Sequence, residues 1–152
     1  MASIKKLMAI DKEITNCIYD KEINLIEADN IISIICEKLN LPKITIKFCF
    51  YVKKSNCFLR KLCRFLKKEE LYDLYEERKG ERKITIGEAY HEKNRIVLYY
   101  YGHTTSVLLH EIAHLMPNGY GHGKKWIKSF KEVVKVYNEI CACRQVDMAE
   151  DF

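Results

Sequence analysis

Residues 107–123 read VLLHEIAHLMPNGYGHG, and this stretch decides how the rest of the chain is interpreted. Within it, His110-Glu111-Ile112-Ala113-His114 matches H-E-x-x-H, a pattern of zinc sites carried on a helix. Four residues advance a helix by about 400°, so His110 and His114 lie one turn apart on the same face. Both imidazoles can then bind one metal ion. Glu111 lies about 100° around the helix, where it can contact a water on that ion without binding the ion itself.

Apolar residues surround the motif and predict a buried helix: Val107, Leu108, Leu109, Ile112, Ala113 and Leu115. Charged groups on such a helix need partners, because burying an unpaired charge is costly, and a metal ion provides one. Pro117 ends the helix, since the residue before a proline disfavours helical angles. The turn-forming residues 118–121 can then bring His122 towards the pair. Three protein ligands leave one position for water, as in catalytic zinc sites. Glu132 or Glu139 on the next helix is the alternative third ligand.

Length and composition bound the class of protein. A chain of 152 residues, 48% of them hydrophobic, predicts a single ordered domain spanning 1–152. Lys and Arg exceed Asp and Glu by five, which permits a nucleic-acid partner without requiring one. Seven cysteines without a C-x-x-C pair argue against a zinc ribbon. The sequence has neither a signal peptide nor an apolar run of membrane-spanning length. We therefore expect a soluble intracellular protein, in the cytoplasm or nucleus, with no membrane partner.

Hydrophobic periodicity predicts an α+β fold in which helices pack against a small sheet that contains antiparallel strands. The N-terminal half is expected to form a helix from Ile4 to Ile18, then a helix capped by Asp20 with an apolar stripe from Ile23 to Leu39. Alternation predicts a strand from Ile44 to Val52, with Lys53 and Lys54 leaving it. Charge-rich residues 57–79 predict a helical insertion.

The C-terminal half is expected to begin with a hairpin of strands 83–90 and 95–101, joined by residues 91–94, with His91 in that solvated loop. Thr104, Thr105 or Ser106 is expected to cap the motif helix. A last helix from Lys124 to about Cys143 follows, and the acidic tail 145–152 is expected to fray. The buried stripe of that helix is Trp126, Ile127, Phe130, Val133, Val134 and Tyr137.

The order of these elements, with H-E-x-x-H, a turn-rich loop and His122-Gly123-x-x-Trp126, resembles the SprT-like (Spartan-like) zinc metalloprotease domain. The resemblance covers roughly residues 23–137, and its specific part is His110 to Trp126. It implies a zincin-like fold, one zinc ion held by His110, His114 and His122, and cleavage of proteins bound on or crosslinked to DNA. The sequence differs from many members in the shorter loop between His114 and His122. It is also expected to lack the C-terminal zinc ribbon or other DNA-binding extension of several relatives.

The leading functional prediction is zinc-dependent peptide hydrolysis with Glu111 as general base. His103, Tyr120 and Tyr137 are candidate substrate or oxyanion contacts. Exposed lysines beside the site are candidate DNA contacts: Lys124, Lys125, Lys128 and Lys131. The alternative is a non-catalytic module that binds nucleic acid or protein and keeps a structural or vestigial zinc site. A third reading is a zincin that cleaves one regulatory protein.

Overall fold

The computed structural model describes residues 9–10, 12–15, 18, 20–54, 84–117 and 119–150. In chain order its elements are α1 (Leu25–Lys38), β1 (Thr45–Phe48), β2 (Lys53–Lys54), β3 (Ile84–Thr85), β4 (Gly87–Tyr90), β5 (Arg95–Leu98), α2 (Thr105–Leu115) and α3 (Lys124–Glu150). Residues 9–10 and 12–15 are also helical. The insertion expected at 57–79 lies outside the described residues.

Strand β5 lies at the centre of a three-stranded sheet with the order β1-β5-β4. It pairs in parallel with β1, Ile46 opposite Ile96, and antiparallel with β4, Ala89 opposite Ile96. Side chains alternate across a strand, so Ile96 and Leu98 point to one face, where both are fully buried. Helix α1 packs on β1, while α2 packs on β4 and β5. The predicted α+β class and the antiparallel pairing are therefore confirmed.

The core is built from the apolar faces of the three helices over that sheet. The predicted stripe of α3 is buried throughout, and so is the centre of α2. In α1 the stripe is correct at Ile31 and Ile35 but wrong at Ile26, which is 73% exposed. Ile26 and Ile35 are nine residues, or about 900°, apart, so they lie on opposite sides of the helix. Of the predicted first helix, Ile14 and Ile18 are buried, with Ile18 in a bend.

The strand predicted from Ile44 to Val52 ends early, at Phe48. Phe50 and Val52, expected on the buried face, are exposed. Strand β5 also ends early, at Leu98 and before the predicted Tyr101, and the Gly102 amide donates to the Tyr99 carbonyl in the turn that follows. Lys53 and Lys54 do not simply leave the strand as predicted, because they form β2, antiparallel to β3.

Asp20 does not cap α1; that prediction was wrong. The N-cap of α1 is Asn24, whose side chain accepts a hydrogen bond from the Glu27 amide. Asp20 lies instead at the start of α2, where its carboxylate accepts hydrogen bonds from the Ser106 amide at 3.0 Å and the Ser106 hydroxyl at 2.8 Å. A carboxylate at a helix N-terminus satisfies a free amide and stabilises the helix dipole. The segment before α1 therefore anchors the motif helix.

Replacing Asp20 with alanine is expected to lower the free energy of unfolding by about 1 kcal/mol, since the first turn of α2 loses a capping carboxylate. Urea denaturation followed by circular dichroism measures this change. Asp29→Asn, on the exposed face of α1, is the control and is expected to leave the midpoint unchanged. Equal midpoints for Asp20→Ala and the wild type would contradict the capping role.

Thr104 is the N-cap of α2, one of the three residues predicted, and Met116 before Pro117 adopts the extended conformation that ends the helix. Helix α3 continues to Glu150, beyond the predicted end near Cys143. No glycine or proline follows Gly123, so the backbone has no residue that would stop it earlier. Among the described residues, no helix is both long enough and apolar enough to cross a bilayer.

Candidate metal centre

Three imidazoles meet at the C-terminal half of α2. His110 and His114 come from one face of the helix, and His122 comes from the loop between α2 and α3. The Nε2 atom of His110 lies 3.2 Å from that of His114 and 3.1 Å from that of His122, and the last pair is 3.0 Å apart. The three ligands predicted from the sequence therefore form one cluster.

The loop fixes the tautomer of His114. Its Nδ1 lies 2.8 Å from the Gly119 carbonyl oxygen, which can only accept a hydrogen bond, so Nδ1 carries the proton. A neutral ring protonated there leaves Nε2 with a bare lone pair facing the other two histidines. This is the usual arrangement of a metal-binding histidine, in which the second nitrogen donates to a carbonyl.

Gly119 allows this contact because the loop folds tightly against the end of α2. A Cβ atom at position 119 would overlap the carbonyl oxygens of Ala113 and His114. The Gly119 amide also donates to the Met116 carbonyl at 2.9 Å. Only glycine permits this approach, and it returns the chain towards the helix just before His122.

Replacing Gly119 with alanine is expected to weaken zinc binding by about 10–100-fold, the usual effect of losing the hydrogen-bond partner of a ligand. The added methyl group would push the loop from α2 and break the bond to His114. Competition with a chromophoric chelator measures the affinity. Gly123→Ala is the matched control, because its Cβ would meet no atom within 4 Å. Equal zinc affinities for the two variants would refute this role of Gly119.

Trp126 forms the floor of the cluster. Its ring centroid lies 4.6 Å from that of His110, 5.1 Å from that of His114 and 4.8 Å from that of His122. The side chain is fully buried and packs on Phe130 behind it. One rigid aromatic ring thus packs against all three imidazoles. Side chains that are held by packing lose little conformational entropy when they bind a ligand.

Burial lowers the pKa of His110 well below its usual range, and the neighbouring His114 and His122 lower it further. The ring is therefore neutral at pH 7. A neutral imidazole is the form that binds metal ions, so the environment favours a ligand.

Glu111 faces a different surface from the histidines, as its position one residue on predicts. It is 7% exposed and lies against strand β4. A Cβ atom at Gly87 would lie 3.0 Å from its Cγ and 3.1 Å from its Oε1. Gly87 therefore leaves the space that the carboxylate occupies between α2 and the sheet.

The cluster fits a single metal ion. The centre of a triangle with these edges lies about 1.8 Å from each nitrogen, close to the ~2.0–2.1 Å usual for a bond between zinc and imidazole, so the three residues would be able to hold one ion. Three nitrogens converge, and Nε2 of His114 presents an unprotonated lone pair to the other two. A shared cation explains this arrangement. The donor set suits zinc, and other imidazole-binding transition metals also match it.

The rival third ligands lie elsewhere. Glu132 and Glu139 are exposed on α3, and the group of described residues that could hold a metal ion contains His110, His114 and His122 without either glutamate. This favours the prediction of His122 over that of a carboxylate.

The candidate substrate contacts separate into three environments. His103 points away from the cluster: its Nε2 lies 2.9 Å from the Cys49 carbonyl, and its ring stacks on Phe48. Tyr137 is buried in the core of α3. Tyr120 is 73% exposed on the loop that carries His122, and its ring stacks on His91. The four candidate DNA-contacting lysines, at positions 124, 125, 128 and 131, are all exposed on α3.

Sequence reasoning missed three residues of the site. Gly87 and Gly119 make room for Glu111 and for the carbonyl that orients His114. The predicted turn at 118–121 includes Gly119, so its position was indicated by the sequence. No feature of the neighbouring sequence indicated a role for Gly87. His91 was expected to be a solvated loop residue, but it is half-buried and stacks on Tyr120, with ring centroids 4.0 Å apart.

Comparison of the chain with protein-family models, curated proteins and solved structures found no match.

Proposed function

We propose that this protein is a zinc-dependent endopeptidase that resembles the SprT-like domain. The observation that carries the proposal is the Nε2 triangle of His110, His114 and His122, with edges of 3.0–3.2 Å. Two of these histidines lie on the helix that also carries Glu111. A helix that supplies two ligands and an adjacent glutamate is the arrangement of metal-dependent peptide hydrolysis.

A zinc ion held by the three histidines would acidify a water molecule towards a pKa of ~7 and polarise the scissile carbonyl. Glu111 accepts the proton of the attacking water and then gives it to the leaving amine. Its burial excludes bulk solvent from the carboxylate. Trp126 keeps the imidazoles in place, and the Gly119 carbonyl holds the proton on Nδ1 of His114.

The substrate is proposed to be an extended segment of a protein. Strand β4 is an edge of the three-stranded sheet, and within the described ranges no strand pairs with its outer side. It also lies next to Glu111 at Gly87. A peptide that adds to such an edge through main-chain hydrogen bonds would pass close to the general base.

DNA-bound or DNA-crosslinked proteins are the substrate class that the family resemblance suggests. The exposed lysines of α3 support this extension, because α3 begins directly after His122 and a basic helix face attracts phosphate. The same lysines also favour the second candidate function, a nucleic-acid-binding module without activity. DNA binding with no cleavage in any metal or DNA condition would favour the module.

Incubation of the purified protein with casein tests the proposal. We expect cleavage in the presence of zinc, its loss after 1,10-phenanthroline, and its recovery when zinc is restored. Parallel reactions with single-stranded DNA test whether DNA stimulates cleavage. Casein that stays intact in the zinc-loaded protein, with and without DNA, would contradict peptidase activity, as would cleavage that persists after complete metal removal.

A further inference from the structure

His122 is the least constrained of the three candidate ligands. It is exposed, whereas His110 and His114 are half-buried on a helix. Glycines flank it on both sides: Gly121, with a φ of +71°, and Gly123. A Cβ at either position would meet no atom within 4 Å, so the backbone here is open. Glycine loses more conformational freedom on ordering than any other residue, so holding His122 in place is entropically costly.

Tyr120, two residues before His122, contacts a residue from another part of the fold. Its ring stacks on His91 with centroids 4.0 Å apart and an interplanar angle of 16°. Most of the Tyr120 side chain is exposed, so hydrophobic burial does not explain its position. The stack joins loop 119–122, which carries His122, to the turn between β4 and β5.

That turn is itself firmly anchored. Asn94 adopts the left-handed conformation, with a φ of 48°, and its side-chain amide donates to the carbonyls of Pro42 and Lys43 at 3.2 and 2.6 Å. The backbone amide of Asn94 also donates to the His91 carbonyl at 3.3 Å. His91 therefore stands on a fixed support. Burial lowers its pKa, so its ring is neutral at pH 7 and stacks as an uncharged aromatic.

We propose that His91 is a positioning residue of the metal centre: its stack on Tyr120 holds loop 119–122 so that His122 meets His110 and His114. The proposal rests on the metal binding assumed in the proposed function, but not on the hydrolysis. His91 acts through Tyr120 and is not itself a ligand. Loss of either ring frees the loop and raises the entropy that His122 must lose to bind.

Zinc affinity measured by chelator competition tests the proposal, with the fluorescence of Trp126, the only tryptophan, as an independent signal. His91→Ala and Tyr120→Ala are each expected to weaken binding about two- to tenfold, the value of one aromatic pair. The double variant is expected to match the single ones, because all three remove the same contact. His91→Phe keeps a flat ring and is expected to restore the wild-type affinity. Glu92→Ala, in the same turn, is the control and is expected to bind zinc like the wild type.

Each contrary result has a distinct meaning. Wild-type affinity in His91→Ala, additive losses in the double variant, or no rescue by phenylalanine would overturn the positioning role. A wild-type protein that binds no zinc would overturn the metal centre and this proposal with it. Zinc binding that follows the expected pattern without casein cleavage would contradict the proposed function and leave the role of His91 supported.

Discussion

Glu111→Gln is expected to lower the rate of peptide hydrolysis by about 10²–10⁴-fold, the usual contribution of a general base, while zinc stays bound. Glutamine has nearly the same shape and fits the space beside Gly87, but its amide cannot accept the water's proton. The group that could hold the metal consists of the three imidazoles and does not include this side chain. Initial rates of casein cleavage and zinc content per chain, measured on one preparation, give both values.

Glu132→Gln is the matched control, because it removes the same charge from a glutamate that is exposed on α3. It is expected to retain wild-type cleavage and zinc content. Undiminished hydrolysis in Glu111→Gln would remove the general base from the mechanism. Loss of zinc in Glu111→Gln would show instead that the carboxylate supports the metal.

Trp126→Ala is expected to lower the free energy of unfolding by about 3–5 kcal/mol, as loss of a fully buried large aromatic residue does. It is also expected to weaken zinc binding, because the ring contacts all three imidazoles. Trp126→Phe fills part of the space and is expected to show smaller losses of both kinds. Urea denaturation of the metal-free protein and chelator competition measure the two effects separately.

Ile35→Ala separates loss of stability from loss of zinc affinity. Ile35 is fully buried in α1, and the aromatic ring that contacts all three histidines belongs to Trp126. It is expected to destabilise the fold by about 2–5 kcal/mol, yet the folded protein should bind zinc with unchanged affinity. If Trp126→Phe and Ile35→Ala both lose stability and neither loses zinc affinity, Trp126 is a core residue without a role in the site.

The motif helix was predictable because its information is local. A spacing of four places two side chains on one face whatever the rest of the fold does, and the apolar residues around His110 and His114 indicate burial. The end of the helix before Pro117 and the return of His122 follow from the chemistry of the adjacent turn. For the same reason the buried stripe of α3 could be read from its 3.6-residue period.

What the sequence did not reveal depends on contacts between distant segments. Asp20 is a suitable cap for a nearby helix, but it caps one that begins 85 residues later. Strand β1 ends at Phe48, and its partner β5 ends at Leu98 before a turn at Tyr99–Gly102, which alternation within β1 cannot show. Gly87 and His91 belong to the candidate site only because β4 lies against α2 and the turn after β4 contacts Tyr120 in the loop that carries His122.

X-ray absorption at the zinc edge of the zinc-loaded wild-type protein tests the central claim most directly. Convergence of the three histidines predicts one zinc per chain, with three imidazole rings bound through nitrogen at about 2.0 Å and one oxygen ligand completing the shell. A sulfur shell near 2.3 Å, which would place cysteines on the metal, or fewer than three imidazoles, would contradict it.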